Sequence, residues 1–325
     1  TREVPPLIVE ALKRLEYRGY DSAGVATLVG GHIERRRSPG KLVELVQLLK
    51  EKPLAGFTGI GHTRWATHGA PTERNAHPPA SSRVALVHNG IIENFRELKD
   101  ELHAAGHKFE SETDTEVVVH LVTHYLDQGM SPIEAATTAV KRLTGAFALV
   151  MIFTKEESLL IAARRGSPLA AGYGEKESYL GSDAFSLAPF TNRVTYLEDG
   201  DIAVAKGPNV TIFDAAGKTV KRPIQTVPVS AGMVDKGSHD HFMAKEIHEQ
   251  PEVVGHTLSR YLDAAGPLVD LPAAELALFK DAPRLTMSAC GTAYYAGLVG
   301  KYWFEQLARH LHAAVIELRD LIPVT

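Results

Sequence analysis

Three short blocks in this 325-residue chain hold side chains able to do chemistry. The first is Gly61-His62-Thr63-Arg64-Trp65-Ala66-Thr67-His68-Gly69, a polar loop following a short apolar strand, where binding residues tend to sit. Its arginine can grip a carboxylate through two parallel charged hydrogen bonds, with Trp65 beside it as an apolar lid. The same spacing also suits a surface loop whose tryptophan packs on the core and whose arginine pairs with an internal acid. The second block is Val87-His88-Asn89-Gly90. An Asn amide and a glycine N–H, side by side at a strand end, can both point at one oxygen and stabilise a tetrahedral oxyanion. The plainer use of Asn-Gly is a hairpin turn, although the segment after Gly90 reads as helix and not as a partner strand. The third block is Ser111-Glu112-Thr113-Asp114-Thr115-Glu116. Asp114, in the first turn of a helix, can complement the helix dipole or hold the ammonium group of an amino acid.

The elements that must position these blocks can be read from periodicity. Apolar residues at helical spacing predict helices over Val4–Arg18, opened by two prolines, and over Lys41–Lys50. Strands are expected at Gly24–Leu28 and His32–Arg37, joined by Gly30-Gly31, then at Phe57–Gly61 and Arg83–His88. Ile91–Ala105 and Asp114–Gln128 read as helices, the second with Thr113 and Glu116 as a capping box. Ser131-Pro132-Ile133-Glu134 repeats that signature for a third. From Ala146 to about Val229 the pattern turns to short antiparallel strands, a polar glycine-containing linker spans 230–241, and Phe242–Ala265 returns to helix. The strand Leu285–Ala289, the turn Cys290-Gly291-Thr292, the helix Ala293–His310 and a new strand from Val315 read as the opening of a parallel α/β sheet.

Composition narrows the partners. Lys plus Arg number 35 and Asp plus Glu 39, a net charge of −4, which gives no reason to expect nucleic acid or an anionic membrane. The Arg35-Arg36-Arg37 run is short and reads as a solvated strand end. No apolar run approaches the roughly 18 residues of a membrane helix, and a lone cysteine, Cys290, fits a reducing cytoplasm. His239, His241 and His248 do not have zinc-site spacing, and no metal or organic cofactor is expected.

Taken together in this order, the three blocks resemble the glutaminase domain of the N-terminal-nucleophile (class II) glutamine amidotransferases. Arg14-Leu15-Glu16-Tyr17-Arg18-Gly19-Tyr20-Asp21-Ser22-Ala23-Gly24 and Asn75-Ala76-His77-Pro78 match the same family. The resemblance runs over 1–229 and implies an α+β fold, an αββα sandwich. It implies that Arg64 binds the carboxylate of L-glutamine and Asp114 its ammonium, that Thr67, His68 and Gly69 line the pocket, and that Asn89 and Gly90 form the oxyanion hole. Arg18 and His77 would lie near the site, and Trp65 would gate the passage of ammonia. Ser288-Ala289-Cys290-Gly291-Thr292-Ala293 resembles the opening of a sugar-isomerase (SIS) domain, here 242–325, with Gly291 and Thr292 at a helix N-terminus suited to a sugar phosphate. Ala293 stands where that family often has serine. The pairing implies amination and isomerisation of fructose 6-phosphate to glucosamine 6-phosphate, by a homo-oligomeric cytoplasmic enzyme.

The family's nucleophile is a cysteine at the mature N-terminus, opening a short apolar strand, with its own α-amine as base. This sequence begins at Thr1, with a helix a few residues on. The resemblance therefore implies about eight further leading residues and the remainder of the sugar half, and this chain by itself is expected not to hydrolyse glutamine.

Overall fold

The computed structural model describes residues 2–16, 19, 21–65, 69–227, 239, 242–261, 277–278, 282–309 and 311–317. The linker expected at 230–241 lies almost wholly outside them. The chain divides into two units, Thr1–Ser238 and His239–Thr325.

The first unit is built around a six-stranded antiparallel sheet. β4 (Val84–Ile92) lies at one edge, followed by β5 (Gly145–Phe153), β6 (Leu159–Arg165), β10 (Ile202–Lys206), β11 (Asn209–Phe213) and β12 (Thr219–Val220). Strand β5 explains the layering. It is apolar on both faces, and its side chains alternate between two cores. Phe147, Leu149, Met151 and Phe153 pack with residues of α3 (Phe95–Ala104), α4 (Thr115–Asp127) and α5 (Pro132–Arg142). Ala148, Val150 and Ile152 pack with Ala26, Leu28 and Ile60 of a second sheet. That sheet has the order β2 (His32–Pro39), β1 (Ser22–Val29), β3 (Gly59–Arg64). Its outer face carries Ala23 and Val25, which pack with Leu12 of α1 (Val4–Lys13) and with Leu42 and Leu45 of α2 (Leu42–Glu51). The layers run helix, sheet, sheet, helix: the αββα sandwich. A four-stranded sheet extends the unit, ordered β13 (Gln225–Thr226), β9 (Arg193–Tyr196), β7 (Ala170–Tyr173), β8 (Ser178–Gly181), with the short α6 (Ala184–Leu187) packed against β7 and β9.

Several local expectations need correcting. His62, Thr63 and Arg64 belong to β3 and not to a loop, because they pair with Gly24, Ala23 and Ser22 of β1. Asn89 and Gly90 are not a turn: β4 continues through them, pairing with Ala148 and Phe147 and onward to Ile92 opposite Gly145. The helix expected from Ile91 consequently begins at Phe95. Thr113 does not cap α4; Asp114 holds the N-cap position without a capping bond from its side chain. The capping box of α5 is formed, with the Ser131 side chain on the Glu134 N–H and Glu134 reaching back. The Arg35-Arg36-Arg37 run is half-buried and bonded to loop carbonyls, not a freely solvated strand end. Arg35 donates to the Pro78 carbonyl, Arg36 to those of Lys52 and Pro53, and Arg37 to those of Arg74 and Ala76.

In the second unit α7 (Phe242–Tyr261) precedes a βαβ element. β14 (Arg284–Ala289) pairs in parallel with β15 (His312–Glu317), and α8 (Gly291–Leu307) connects them. Among the described residues, no helix is long and apolar enough to cross a membrane.

Candidate functional site

The two-residue period of β3 and β4 builds the site. Ile60 packs between the sheets, so His62 and Arg64, on the same side of β3, face that space too. On β4, Ala85 packs there as well, and so does Asn89 by parity; His88 points the other way, toward α4. The strands meet where His62 Nε2 lies 2.8 Å from Asn89 Oδ1. Next along β4, Gly90 has φ +131°, and a Cβ there would sit 2.0 Å from the Ala146 carbonyl oxygen. Only glycine can bring the backbone that close to β5.

Arg64 is buried, and its guanidinium donates to the Gly69 carbonyl at 3.1 Å and the Ala70 carbonyl at 3.3 Å. Burial lowers its pKa, while the charges of Asp21 and Asp114 oppose that shift; a guanidinium stays charged regardless. Gly69 has φ +77°, and a Cβ would meet Asn75 Nδ2 at 2.7 Å. Asn75 is the knot of the surrounding loops. Its Nδ2 donates to the Ala70 carbonyl and to Glu112, and its Oδ1 accepts the Glu112 N–H.

Asp114 is buried at the start of α4, where its Oδ2 accepts the Ile92 N–H at 2.8 Å. The approach of Ser111 to α4 is fixed by Glu116, which accepts the N–H groups of Glu110 and Ser111 and the Ser111 hydroxyl. Burial works against the Glu116 charge, but hydrogen bonds from His120 and those donors outweigh it and bring its pKa down to about 2. Thr115 bonds His77 Nε2 at 3.1 Å and His88 Nδ1 at 3.0 Å, and its hydroxyl lies 3.4 Å from Asp114 Oδ1. A hydroxyl has one proton, and a carboxylate can only accept it. Thr115 therefore donates to Asp114 and accepts from both imidazoles.

One cavity of about 660 Å³ is lined by Arg64, Trp65, His77, Asn89, Gly90 and Asp114, together with an apolar set from α1 that includes Leu7, Ile8 and Leu12. Trp65 is 57% exposed at it. Gly69 stands behind Arg64, whose guanidinium its carbonyl receives. Arg18, Thr67 and His68 lie outside the described residues. Gly291 and Thr292 belong to the second unit, in the first turn of α8, where Gly291 has φ +58° after the N-cap Cys290.

Sequence reasoning assigned no role to His62, Asn75 or Thr115, and gave Glu116 only a place in a capping box of α4. For His62 a signal existed: once β3 and β4 are known to be strands facing one core, parity places it opposite Asn89. Asn75 bonds Glu112 from a loop distant in sequence, which leaves no periodic trace, whereas Glu116 bonds the N–H groups of Glu110 and Ser111 just before α4.

Fold and site define a class. Residues 62–188, within the first unit, match a family described as a glutamine amidotransferase domain. The fold is shared with the glutamine phosphoribosylpyrophosphate amidotransferase of B. subtilis, at TM-score 0.57 and 24% identity over 66% of this chain and 47% of that one. It is shared likewise with an allosteric regulatory enzyme of purine biosynthesis, at TM-score 0.53 and 25% identity over 67% and 46%.

Over nearly its whole length, the chain is a relative of the glutamine–fructose-6-phosphate aminotransferases (isomerizing). It is 59% identical over 310 residues to that of Mesorhizobium japonicum and 58% over 307 to that of Gluconobacter oxydans, in each case 94% of this chain and 50% of the relative. The chain thus spans about half the length of the curated relatives it matches.

Proposed function

We propose that this chain is the glutaminase part, and the opening of the sugar-phosphate part, of an enzyme that aminates and isomerises fructose 6-phosphate to glucosamine 6-phosphate at the expense of glutamine. The observation that carries this reading is that Arg64, Asp114, Asn89 and Gly90 line one cavity. They supply what a bound glutamine asks for: a guanidinium for its α-carboxylate, a carboxylate for its α-ammonium, and two N–H donors for the oxygen of its side-chain amide.

The nucleophile in this reading is a cysteine thiolate at a mature N-terminus that precedes the present sequence. It attacks the amide carbon of glutamine, and the oxyanion is held by the Asn89 Nδ2–H and the Gly90 N–H. The C–N bond breaks, ammonia leaves with the proton that the thiol had given to the cysteine's own α-amine, and a thioester forms. Water then cleaves the thioester, releasing glutamate and restoring the thiol. Ammonia passes Trp65 to the sugar site. There Gly291 and Thr292, at the N-terminus of α8, receive the phosphate of fructose 6-phosphate. A homo-oligomeric, cytoplasmic enzyme belongs to the same reading.

The test is to supply the full-length protein with glutamine and fructose 6-phosphate and to measure glutamate and glucosamine 6-phosphate. Equal amounts of both are expected. Glutamate without amino sugar would overturn the assigned acceptor, and neither product would overturn the whole reading.

A further inference from the structure

We propose that His62 is a positioning residue that sets which end of the Asn89 side-chain amide faces the substrate. The inference rests on the proposed role of Asn89 as an oxyanion donor.

An amide side chain has two ends of similar shape and opposite function. With Nδ2 toward the cavity, Asn89 donates to a developing oxyanion. With Oδ1 there, it would repel one. Asn89 is exposed to the cavity, so its own packing does not decide between the two. Its contact with His62 does. At 2.8 Å, Nε2 of His62 faces Asn89 Oδ1, and an amide oxygen can only accept. The imidazole must therefore carry its proton on Nε2.

Two features favour that tautomer. His62 Nδ1 is buried and has no hydrogen-bond partner among the described residues. A buried bare acceptor is tolerated more often than a buried unpaired N–H, so the single proton belongs on Nε2. Burial, together with the nearby His88 and Arg64 side chains, also pushes the His62 pKa down to about 4 against the effects of the Asn89 bond and of a weaker interaction with the His88 backbone, so near neutral pH the ring holds one proton only.

The ring is itself held. It stacks on His77, with centroids 4.5 Å apart and planes 26° from parallel. His77 is fixed in turn by Thr115 through Nε2. Arg37 and Arg35 donate to the Ala76 and Pro78 carbonyls on either side of it. A clamp thus runs from the β2 arginines through His77 to His62 and ends on Asn89. Its chemical output is one orientation of one amide.

The experiment compares glutamine hydrolysis by the full-length wild-type protein with His62→Phe, His62→Gln, Asn89→Ala and the double variant His62→Phe/Asn89→Ala. Phenylalanine keeps the ring that stacks on His77 and removes the donor; glutamine restores an N–H donor. His62→Phe should lower kcat about 10-fold or more, up to the 100- to 1,000-fold loss typical of a missing oxyanion donor, with little change in KM. His62→Gln should recover much of that loss. In the Asn89→Ala background, His62→Phe should have no further effect, because a residue acting through Asn89 has nothing left to act on.

An equal fall in both backgrounds would overturn the proposal, as would a change confined to KM. Independently of any variant, long-range ¹⁵N–¹H correlation of the wild-type histidines should find His62 protonated on Nε2, and protonation on Nδ1 would overturn the proposal even if the variants failed to fold. A wild-type protein that does not hydrolyse glutamine would sink the parent reading and this one together. Hydrolysis indifferent to His62 would sink this one alone.

Discussion

The Asp114 carboxylate accepts the backbone N–H of Ile92 at 2.8 Å, so the first turn of α4 is fastened to the strand that carries Asn89 and Gly90. The residue assigned to the substrate ammonium and the pair assigned to the oxyanion are thereby held in register by one bond. Asp114→Asn keeps an acceptor for Ile92 but removes the charge. It should raise the glutamine KM sharply and leave the thermal midpoint nearly unchanged. Asp114→Ala removes both and should also destabilise the fold by about 1–3 kcal/mol, the cost of a buried N–H left unpaired. Steady-state kinetics and thermal melts of both variants check this. Equal destabilisation by both would contradict the role of the bond.

Gly90 tests the oxyanion assignment through the backbone. At φ +131° with no room for a Cβ beside Ala146, Gly90→Ala must move β4 or rotate the peptide. The φ strain alone costs about 1–3 kcal/mol, and the displaced N–H should cost about 100- to 1,000-fold in kcat for glutamine. Rapid-quench measurement of thioester formation would locate the loss in the first chemical step.

Arg64 serves the loop and the proposed ligand together. Arg64→Lys keeps the charge but cannot reproduce a planar fork across the Gly69 and Ala70 carbonyls and a carboxylate. A loss of about 10- to 100-fold in kcat/KM is expected for a charged hydrogen bond of about 1.5–3 kcal/mol. It should fall mainly on KM, and turnover driven by added ammonia should be spared. Equal loss with both nitrogen sources would argue against the assignment.

The buried imidazoles set a pH dependence. Burial lowers the pKa of His62 from 6.5 to about 4 and that of His77 well below 6.5. Both are harder to protonate in the folded state than in the unfolded one. The unfolded chain therefore takes up protons first as pH falls. The stability these two groups confer is complete above about pH 6.5 and is lost progressively below it, by up to about 1.4 kcal/mol per pH unit for each ring. An NMR titration should find the His62 and His77 ring signals unchanged from pH 8 to 5. A midpoint near 6.5 for either would contradict this.

Much of the sandwich is legible in the sequence. β5 is an unbroken apolar run from Ala146 to Phe153, which marks a strand buried on both faces. Ser131 and Glu134 cap a helix by local rules alone. The motif residues Arg64, Asn89, Gly90 and Asp114 stand out without their geometry, because their chemistry is specific even where their secondary structure misleads.

The parts that could not be read depend on partners distant in sequence. Asn-Gly is a strong turn dipeptide, yet β5 supplies nine residues of partner and draws β4 straight through it. The polar end of β3 reads as loop until β1 is seen beside it. β7, Ala-Ala-Gly-Tyr, is too short and small to announce itself. The Arg35–Arg37 run looks like surface, because nothing local reveals the loop carbonyls that receive it.

The central claim is that one amino acid is held at once by Arg64, Asp114 and the Asn89–Gly90 pair. The most direct measurement is a crystal structure of the full-length protein soaked with L-glutamate, the expected product. The account predicts the α-carboxylate against the Arg64 guanidinium, the α-ammonium against Asp114 and a side-chain oxygen within hydrogen-bond reach of Asn89 Nδ2 and the Gly90 N–H. Glutamate bound elsewhere, or bound here with its α-carboxylate turned toward Asn89, would contradict it.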